Sequence, residues 1–412
     1  MVNVTKIQEP LRSKLRNNTL VASTDLIYYK VFIGFNITPG IDEQNLITSL
    51  GGSSIDVHAN LNTISCILSS DSIKLLSDDP RVRYIEEVGI VKAAVVNIPK
   101  ISSLQTVYPW GVNKIRAPEV HATGNRGAGI NVCIIDSGID YNHEDLQGVY
   151  KGGYNYLNNT NDPKDILGHG THVAGIIAGQ GINGVLGVAP DCNLYSLKFL
   201  DPAMLGDLNN VVKALQWSID NNIDIANMSF GGGVGGITFD TAMNNAYNAG
   251  ILIIAAAGNS GETPSCTSTT IPVISPCPTP NCSIDNICFP ALSHYAIAVA
   301  NTDVYDQLSC SSSRGPKIEI SAPGNQIGST FVGNTYATMS GTSMACPHVV
   351  GVAALIKSAN PNLTNIQIER QLINGCVNLG QQNCYGYGRI DAVKATNIPI
   401  QICTPLTSKL TI

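Results

Sequence analysis

Charge is scarce in this sequence. Only 13% of its 412 residues are Asp, Glu, Lys or Arg, against about 25% in an ordinary globular chain. No Lys/Arg-rich run occurs, the net charge is −6 and the pI is near 5.6, so the electrostatic footprint of a nucleic-acid binder is missing. Long apolar runs are missing too: the longest, near Ile251–Gly258, is eight or nine residues, far short of the roughly 18 that a membrane span needs. The opening stretch MVNVTKIQEPLRSKLRNNTL lacks the continuous apolar core of a secretory signal. The cellular compartment stays open.

What is present describes a tightly packed globule. Thirty-nine glycines and 44% hydrophobic residues exclude a disordered or fibrous chain, and the length allows a large domain plus a smaller one. Twelve cysteines hint at an oxidising setting. Seven of them (Cys266, Cys277, Cys282, Cys288, Cys376, Cys384, Cys403) fall in loop-like or tail sequence, whereas Cys133 and Cys346 sit in apolar runs and read as small core residues.

Residues 28–94 read as a small α+β unit. Tyr28–Phe35, Ile55–His58, Thr63–Leu68 and Val82–Ile85 pattern as strands, and Asp42–Leu50 and Ser72–Leu76 as helices. That order is a split βαβ arrangement. Residues 1–27 form an extension before it, and 95–107 read as a linker. From 108 to 396 the pattern becomes repeated strand–turn–helix. Asn131–Ile135, Leu194–Phe199, Asp224–Ser229, Ile251–Ala256 and Tyr295–Ala300 are short apolar runs without alternation, as buried parallel strands are. His172–Ala178, Leu208–Asp220, Phe239–Ala249 and Met344–Lys357 pattern as helices between them. The fold class is therefore α/β, a doubly wound, mostly parallel sheet, whose functional sites gather at the carboxyl ends of strands. Residues 397–412 are a tail.

The chemistry-bearing motifs fall at those ends. In INVCIIDSGID a buried strand ends in Asp136; in GHGTHVAGIIAG His169 opens a helix; in GTSMACPHVVGVAALI Ser343 opens an almost wholly apolar helix. A serine hydroxyl is a weak nucleophile that needs a base. Histidine supplies one near neutral pH, and a buried carboxylate fixes its tautomer. A helix N-terminus at Ser343 aims amide groups at a developing oxyanion. ILIIAAAGNSG ends a further strand with Asn259, whose amide can donate a second hydrogen bond there.

The ordered set DSGID, HGTHVAG, NMSFGG, AAAGNSG and GTSMACPH resembles the subtilisin-like serine proteases, the subtilase family, from Gln105 to about Lys394. The resemblance implies a serine endopeptidase working through an acyl-enzyme, with Asp136, His169 and Ser343 as triad and Asn259 as oxyanion donor. It implies that Ser229, Phe230 and Gly231, with Ala256, Ala257 and Gly258, line the pocket for the residue before the scissile bond. Met204, Leu205 and Gly206 would form the edge that pairs with an extended polypeptide substrate. No carboxylate lies among these, so an apolar or medium-sized side chain is expected, narrowed by Ile287. The unit at 28–94 is similar to the family's inhibitor-type propeptide, which gives a self-inhibited zymogen cleaved between about Lys92 and Leu104. A monomer without organic cofactor follows. A catalytically silent peptide-binding protein is the rival reading, disfavoured by the intact triad.

Two departures stand out. Gln105 and Asp145 match positions of the family's tight calcium site, but its loop, AGQGINGVLGVAP, is one residue short; Gln180, Ile182 and Val185 are the remaining candidate oxygen donors. A Cys-, Pro- and Ser/Thr-rich insertion occupies residues 261–287. Cys266, Cys277, Cys282 and Cys288 allow two disulfides in three connectivities, with a zinc site the weaker alternative, and Cys376 and Cys384 are close enough in sequence to bridge a turn. His172, His348 and His143 read as structural, Asp140 as a turn carboxylate, and sequon triplets such as that at Asn227 as chance.

Overall fold

The computed structural model describes residues 4–18, 26–93, 100–101, 108–232, 235–261 and 280–397. Near the N-terminus, strands β1 (Tyr28–Phe35), β2 (Ser53–His58), β3 (Thr63–Ser69) and β4 (Val82–Glu87) form an antiparallel sheet in the order β2-β3-β1-β4. Helices α2 (Ile41–Ser49) and α3 (Ser70–Ser77) pack on it, after α1 (Leu11–Asn18). Burial of Val31, Ile33 and Phe35 against Ile47, Ile64, Leu68 and Ile73 makes the core of this unit. The residues read as a separate extension belong to it. Ile7, Leu11 and Leu15 are buried in the same core, and Ile7 pairs with Ile85 on the open edge of β4. Leu11 and Leu15, four apart on α1, share one helix face, and the Ile7 bridge covers an edge that would otherwise offer unpaired backbone.

Two short strands follow: β5 (Ile90–Lys92), at the end of the unit read as 28–94, and β6 (Lys100–Ile101), inside the stretch read as a linker. Three- and two-residue strands carry no periodicity of their own; their partners are distant in sequence, at Leu205–Asp207 and Tyr336–Ala337.

Beyond the short helices α4 (Trp110–Lys114) and α5 (Ala117–His121) lies an α/β layer structure. Its strands are β7 (Asn131–Asp136), β8 (Tyr150–Asn155), β9 (Asn193–Lys198), β11 (Ile225–Met228), β12 (Leu252–Ala256), β13 (Ala296–Thr302) and β14 (Ile318–Pro323). All pair in parallel, in the order β14-β13-β12-β11-β7-β9-β8. Between them run β10 (Leu205–Asp207) and the helices α6 (His169–Ala178), α7 (Leu208–Asp220) and α8 (Ile237–Asn248). The hairpin β15 (Ile327–Phe331) and β16 (Thr335–Met339) leads into α9 (Thr342–Ala359), followed by α10 (Asn365–Asn374) and α11 (Gln382–Tyr385). Helices α6 and α9 cover one face in a single apolar core, and α7 and α8 cover the other. The strand order turns at β7, with β9 on one side and β11 on the other. The crevice at such a reversal is where ligands bind in doubly wound sheets.

The two units are joined by buried contacts. Phe32, Leu61, Val88 and Val91 pack with Phe199, Phe230 and Phe239. The Glu86 carboxylate accepts from the amides of Ile237 (2.7 Å) and Thr238 (2.8 Å) at the start of α8, a favourable place for negative charge at a helix N-terminus. Lys30 pairs with Asp207 at 2.7 Å and Asp56 with Lys213 at 2.7 Å.

Candidate active site

Asp136 is the last residue of β7 and His169 the first of α6. Both side chains are fully buried, and the His169 Nδ1 lies 2.8 Å from Asp136 Oδ1. The close approach depends on Gly170: a Cβ there would sit 2.1 Å from the Gly138 carbonyl oxygen, so any side chain would lever α6 off the strand end. Asp136 Oδ1 also accepts from the Ser137 amide at 2.7 Å. A carboxylate at Nδ1 requires the proton on that nitrogen, which leaves Nε2 as the basic atom of the neutral ring. Burial disfavours the charged imidazole, but the adjacent Asp136 carboxylate and, farther off, Asp165 outweigh it and raise the His169 pKa.

Asp165 is a part of this arrangement that sequence reasoning missed. Its buried carboxylate accepts from the amides of Leu167 (2.9 Å), Gly168 (3.1 Å) and Thr171 (3.0 Å) and from the Thr171 hydroxyl (2.7 Å). It thereby satisfies the exposed amides at the start of α6 and fixes the turn from which His169 projects. The signal was an Asp four residues before His169, ahead of a small-residue helix.

Ser343 lies in the first turn of α9, buried, beside Asn259. The Asn259 Oδ1 accepts from the Thr342 amide at 3.0 Å and the Thr342 hydroxyl at 3.2 Å. With its oxygen committed, the amide NH₂ is turned toward Gly341, where a Cβ would come within 3.2 Å of Nδ2. The Ser343 amide at this position has no carbonyl four residues back in the helix to bond.

The link between nucleophile and base is not made in the resting geometry. The Ser343 hydroxyl donates to the Ser229 carbonyl at 2.9 Å, and the Ser229 hydroxyl donates back to the Ser343 carbonyl at 3.0 Å. His169 Nε2 is buried without a hydrogen-bond partner among the described residues. The two helices that carry these side chains pack directly against each other. Unengaged catalytic hydrogen bonds are common in sites without substrate.

The remaining site residues form a cleft whose floor and rim are backbone. Phe230, Gly231, Ala256 and Gly258 line a hollow with Asn259, Thr342 and Ser343; Ala257 lies behind them, donating its amide to Val299. The rim Met204, Leu205 and Gly206 is already occupied by β5. Leu205 pairs with Lys92 and Gly206 with Val91, antiparallel, while the Ala93 amide donates to the Met204 carbonyl at 3.2 Å. On its other side Lys92 exchanges two backbone bonds with Gly231, at 2.9 and 3.0 Å. The segment Ile90–Ala93 therefore lies as a middle strand between the two walls of the cleft, running toward Ser343. Ile287, expected to narrow the hollow, points instead toward Gly315; the side chain that reaches in belongs to its neighbour Cys288. The insertion displaced the register by one residue.

Among the described residues no metal-binding cluster is found, and the backbone of the expected calcium loop is engaged within the protein. Gln105 lies outside the described residues. The Asp145 carboxylate accepts from the amides of Ile182 (2.6 Å), Asn183 (3.3 Å) and Val185 (2.9 Å), and from the Tyr336 hydroxyl at 3.0 Å. Gln180 donates its amide to the Asp145 carbonyl, and the Val185 carbonyl is taken by Gly181. A calcium ion needs six to eight oxygens converging on it. Here N–H and O–H donors converge on the carboxylate. Burial and the neighbouring Asp145 raise the Tyr336 pKa, which keeps its hydroxyl a donor. The loop turns the amides of Ile182, Asn183 and Val185 inward at the carboxylate.

The cysteine pairing also differs from expectation. Cys282 is bonded to Cys384, across 102 residues, and Cys288 is disulfide-bonded as well. Cys376 is free, its thiol donating to the Leu372 carbonyl at the end of α10. Proximity in sequence misled, because Cys384 on α11 faces the insertion rather than its own turn. Cys66, Cys133, Cys192 and Cys346 are free and buried; Cys266, Cys277 and Cys403 lie outside the described residues. His172 bonds the carbonyls of Ile327 and Ala337, and burial lowers its pKa to about 3. His348 bonds Met344 and is lowered to about 4 by the same cause; His143 bonds Thr335. Among the described residues no helix is long and apolar enough to cross a membrane.

Comparison with known proteins places this geometry. The model of the subtilase family matches residues 127–388. The alkaline elastase YaB of a Bacillus species is 38% identical over 334 residues, covering 81% of this chain and 79% of its own. The thermostable alkaline protease of Halalkalibacterium halodurans is 38% identical over 357 residues, covering 86% and 89%. Subtilisin E of Bacillus subtilis is 36% identical over 372 residues, covering 89% and 90%.

Proposed function

The chain belongs to the subtilase family and is a serine endopeptidase, and from this premise we propose how its residues divide the reaction and why its N-terminal unit is there. Ser343 Oγ attacks the peptide carbonyl carbon as its proton passes to His169 Nε2. The Asn259 amide and the Ser343 N–H hold the oxyanion, and Asp136 holds the imidazolium. The carbon–nitrogen bond then breaks, the leaving amine takes the proton, and an ester on Ser343 remains. Water, deprotonated by the same His169 Nε2, hydrolyses that ester and returns the proton to Ser343.

The observation that carries the reading is the strand Ile90–Ala93, clasped between Met204–Asp207 and Gly231. A cleft that adds a strand in this way binds extended polypeptide, and the strand comes from the chain's own N-terminal unit. We read residues up to this strand as an inhibitor-type propeptide of a zymogen. Lys92 faces Gly231 in a doubly bonded antiparallel pair, and the strand runs on toward Ser343. The bond presented to Ser343 then lies beyond Ala93, in the stretch before Leu104.

The test is the purified precursor beside its Ser343→Ala variant. Wild type trims itself to a new N-terminus between about Lys92 and Leu104 and labels on Ser343 with a fluorophosphonate; the variant does neither. A wild-type chain that binds peptides but takes no label would instead favour a catalytically silent peptide-binding protein.

A further inference from the structure

Strand β11 puts a carboxamide where its neighbours put hydrocarbon. Ala226 and Met228 join the core under α7 and α8, and Ile225 joins the core under α9. Asn227, two residues on from Ile225, shares its side of the sheet and points at α9. It is fully buried. A buried amide without partners is costly, and both ends of this one are held. Its Oδ1 accepts from the Cys346 thiol at 3.3 Å, a proton shared with the Ile254 carbonyl at 3.3 Å. Cys346 lies in α9 three residues beyond Ser343. Burial pushes its pKa up to about 12, so the sulfur keeps its proton and acts as donor. With the oxygen so taken, Asn227 Nδ2 donates to the Ser229 hydroxyl at 3.0 Å. That hydroxyl passes its own proton toward the Ser343 carbonyl at 3.0 Å, and the Ser229 carbonyl accepts from the Ser343 hydroxyl at 2.9 Å.

We propose that Asn227 is a positioning residue for the nucleophile: it fixes the Ser229 hydroxyl, through which the main chain of Ser343 is held in place. The inference rests on the peptidase reading above and adds a residue outside the triad and the oxyanion donors. A hydroxyl has one proton and two lone pairs. Asn227 Nδ2 occupies a lone pair of the Ser229 oxygen and so directs the proton at the Ser343 carbonyl; without that donor the hydroxyl is free to turn away. Asn227 itself sits on a strand paired on both sides, with β7 and β12. The chain of bonds Cys346–Asn227–Ser229–Ser343 therefore ties the first turn of α9 to the middle of the seven-stranded sheet. The spacing Asn-x-Ser, which reads as a chance sequon, is the spacing that lets this amide reach the hydroxyl two residues on.

Self-processed wild type, Asn227→Ala, Ser229→Ala and the double variant are compared. Competent sites are counted by fluorophosphonate labelling run to completion, and kcat and KM on one peptide anilide are expressed per labelled site. Each single variant is expected to lower kcat per site by about 10–100-fold, the scale of a reacting group displaced by about 1 Å, with KM little changed. The double variant is expected to be no slower than the slower single, because Asn227 acts through the Ser229 hydroxyl. A merely structural role lowers the number of labelled sites or the Tm and leaves kcat per site at the wild-type value. That result in Asn227→Ala overturns the inference, and so does a double variant in which the two losses multiply. Should Asn227→Ala not fold, Cys346→Ala and Cys346→Ser read the same amide from its other end. Loss of kcat in the first and recovery in the second is then expected, and equal kcat in the two overturns the inference. A wild type that takes no label and cleaves nothing overturns the peptidase reading and this inference together.

Discussion

The Asp145 cluster yields a test that separates this chain from what its family resemblance implies. A cation held at 100 to 1,000 times its Kd adds about 2.7–4.1 kcal/mol to stability. At roughly 2–4 °C per kcal/mol for a domain of some 150–250 residues, stripping such an ion lowers Tm by about 5–15 °C. Here the buried Asp145 carboxylate already has four donors at 2.6–3.3 Å, so chelation is expected to leave this cluster, and the Tm it supports, unchanged within about 1 °C. Asp145→Asn is the opposite perturbation. It keeps the volume but turns an NH₂ toward amides that also donate, leaving buried donors facing donors. Losing one charged hydrogen bond costs about 1.5–3 kcal/mol, and each stranded donor about 1–3 kcal/mol more, so a loss of about 3–5 kcal/mol is expected. Scanning calorimetry of the Ser343→Ala precursor, with EDTA and with added calcium, reads both. The reasoning is refuted if EDTA lowers Tm by several degrees, calcium restores it, and Asp145→Asn abolishes the response.

Two further outcomes follow from the site and the proposed propeptide. Asn259→Ala removes one of the two proposed oxyanion donors and is expected to lower kcat by about 10²–10³ (the range known for this position's counterpart in subtilisin), with KM little changed; a KM effect alone would assign Asn259 to binding. His58 is buried at the interface of the two units, 2.7 Å from Asn209 and near Asp56, Lys213 and Lys30. Burial is the chief cause that lowers its pKa, so the docked ring stays neutral while the undocked ring gains a proton as pH falls through its ordinary value near 6.5. Docking is therefore full above that pH and weakens below it. Burial raises the pKa of Glu86, which acts the other way. Release of activity from freshly processed complex is expected to quicken between pH 7.5 and 5.5, and His58→Gln to flatten the profile; an unchanged profile contradicts the assignment.

The parallel strands and the main helices were legible because each carries its own period or apolar run: Leu208–Asp220 was bounded to the residue, and Asn131–Ile135 to within one. The N-terminal helix at Leu11–Asn18 was not, since only Leu11 and Leu15 of its described residues are buried and their destination is another element's core. The strands at Ile90–Lys92 and Lys100–Ile101 were invisible for the same reason: their bonds go to partners more than a hundred residues away.

Residue identity along the chain determined the chemistry: Asp136 at a strand end, His169 and Ser343 at helix starts and Asn259 after a strand are positions whose local context already dictates what each side chain can do. Only the folded molecule decided what those groups face. The direction of a backbone amide or carbonyl depends on loop geometry, which turned the expected cation ligands into donors for Asp145. The meeting of Cys282 with Cys384, and of Cys288 with Gly231 and Gly258, depends on packing across distant segments. Local sequence fixes covalent and conformational preference, whereas distance between remote side chains is set by the sum of all contacts in the core.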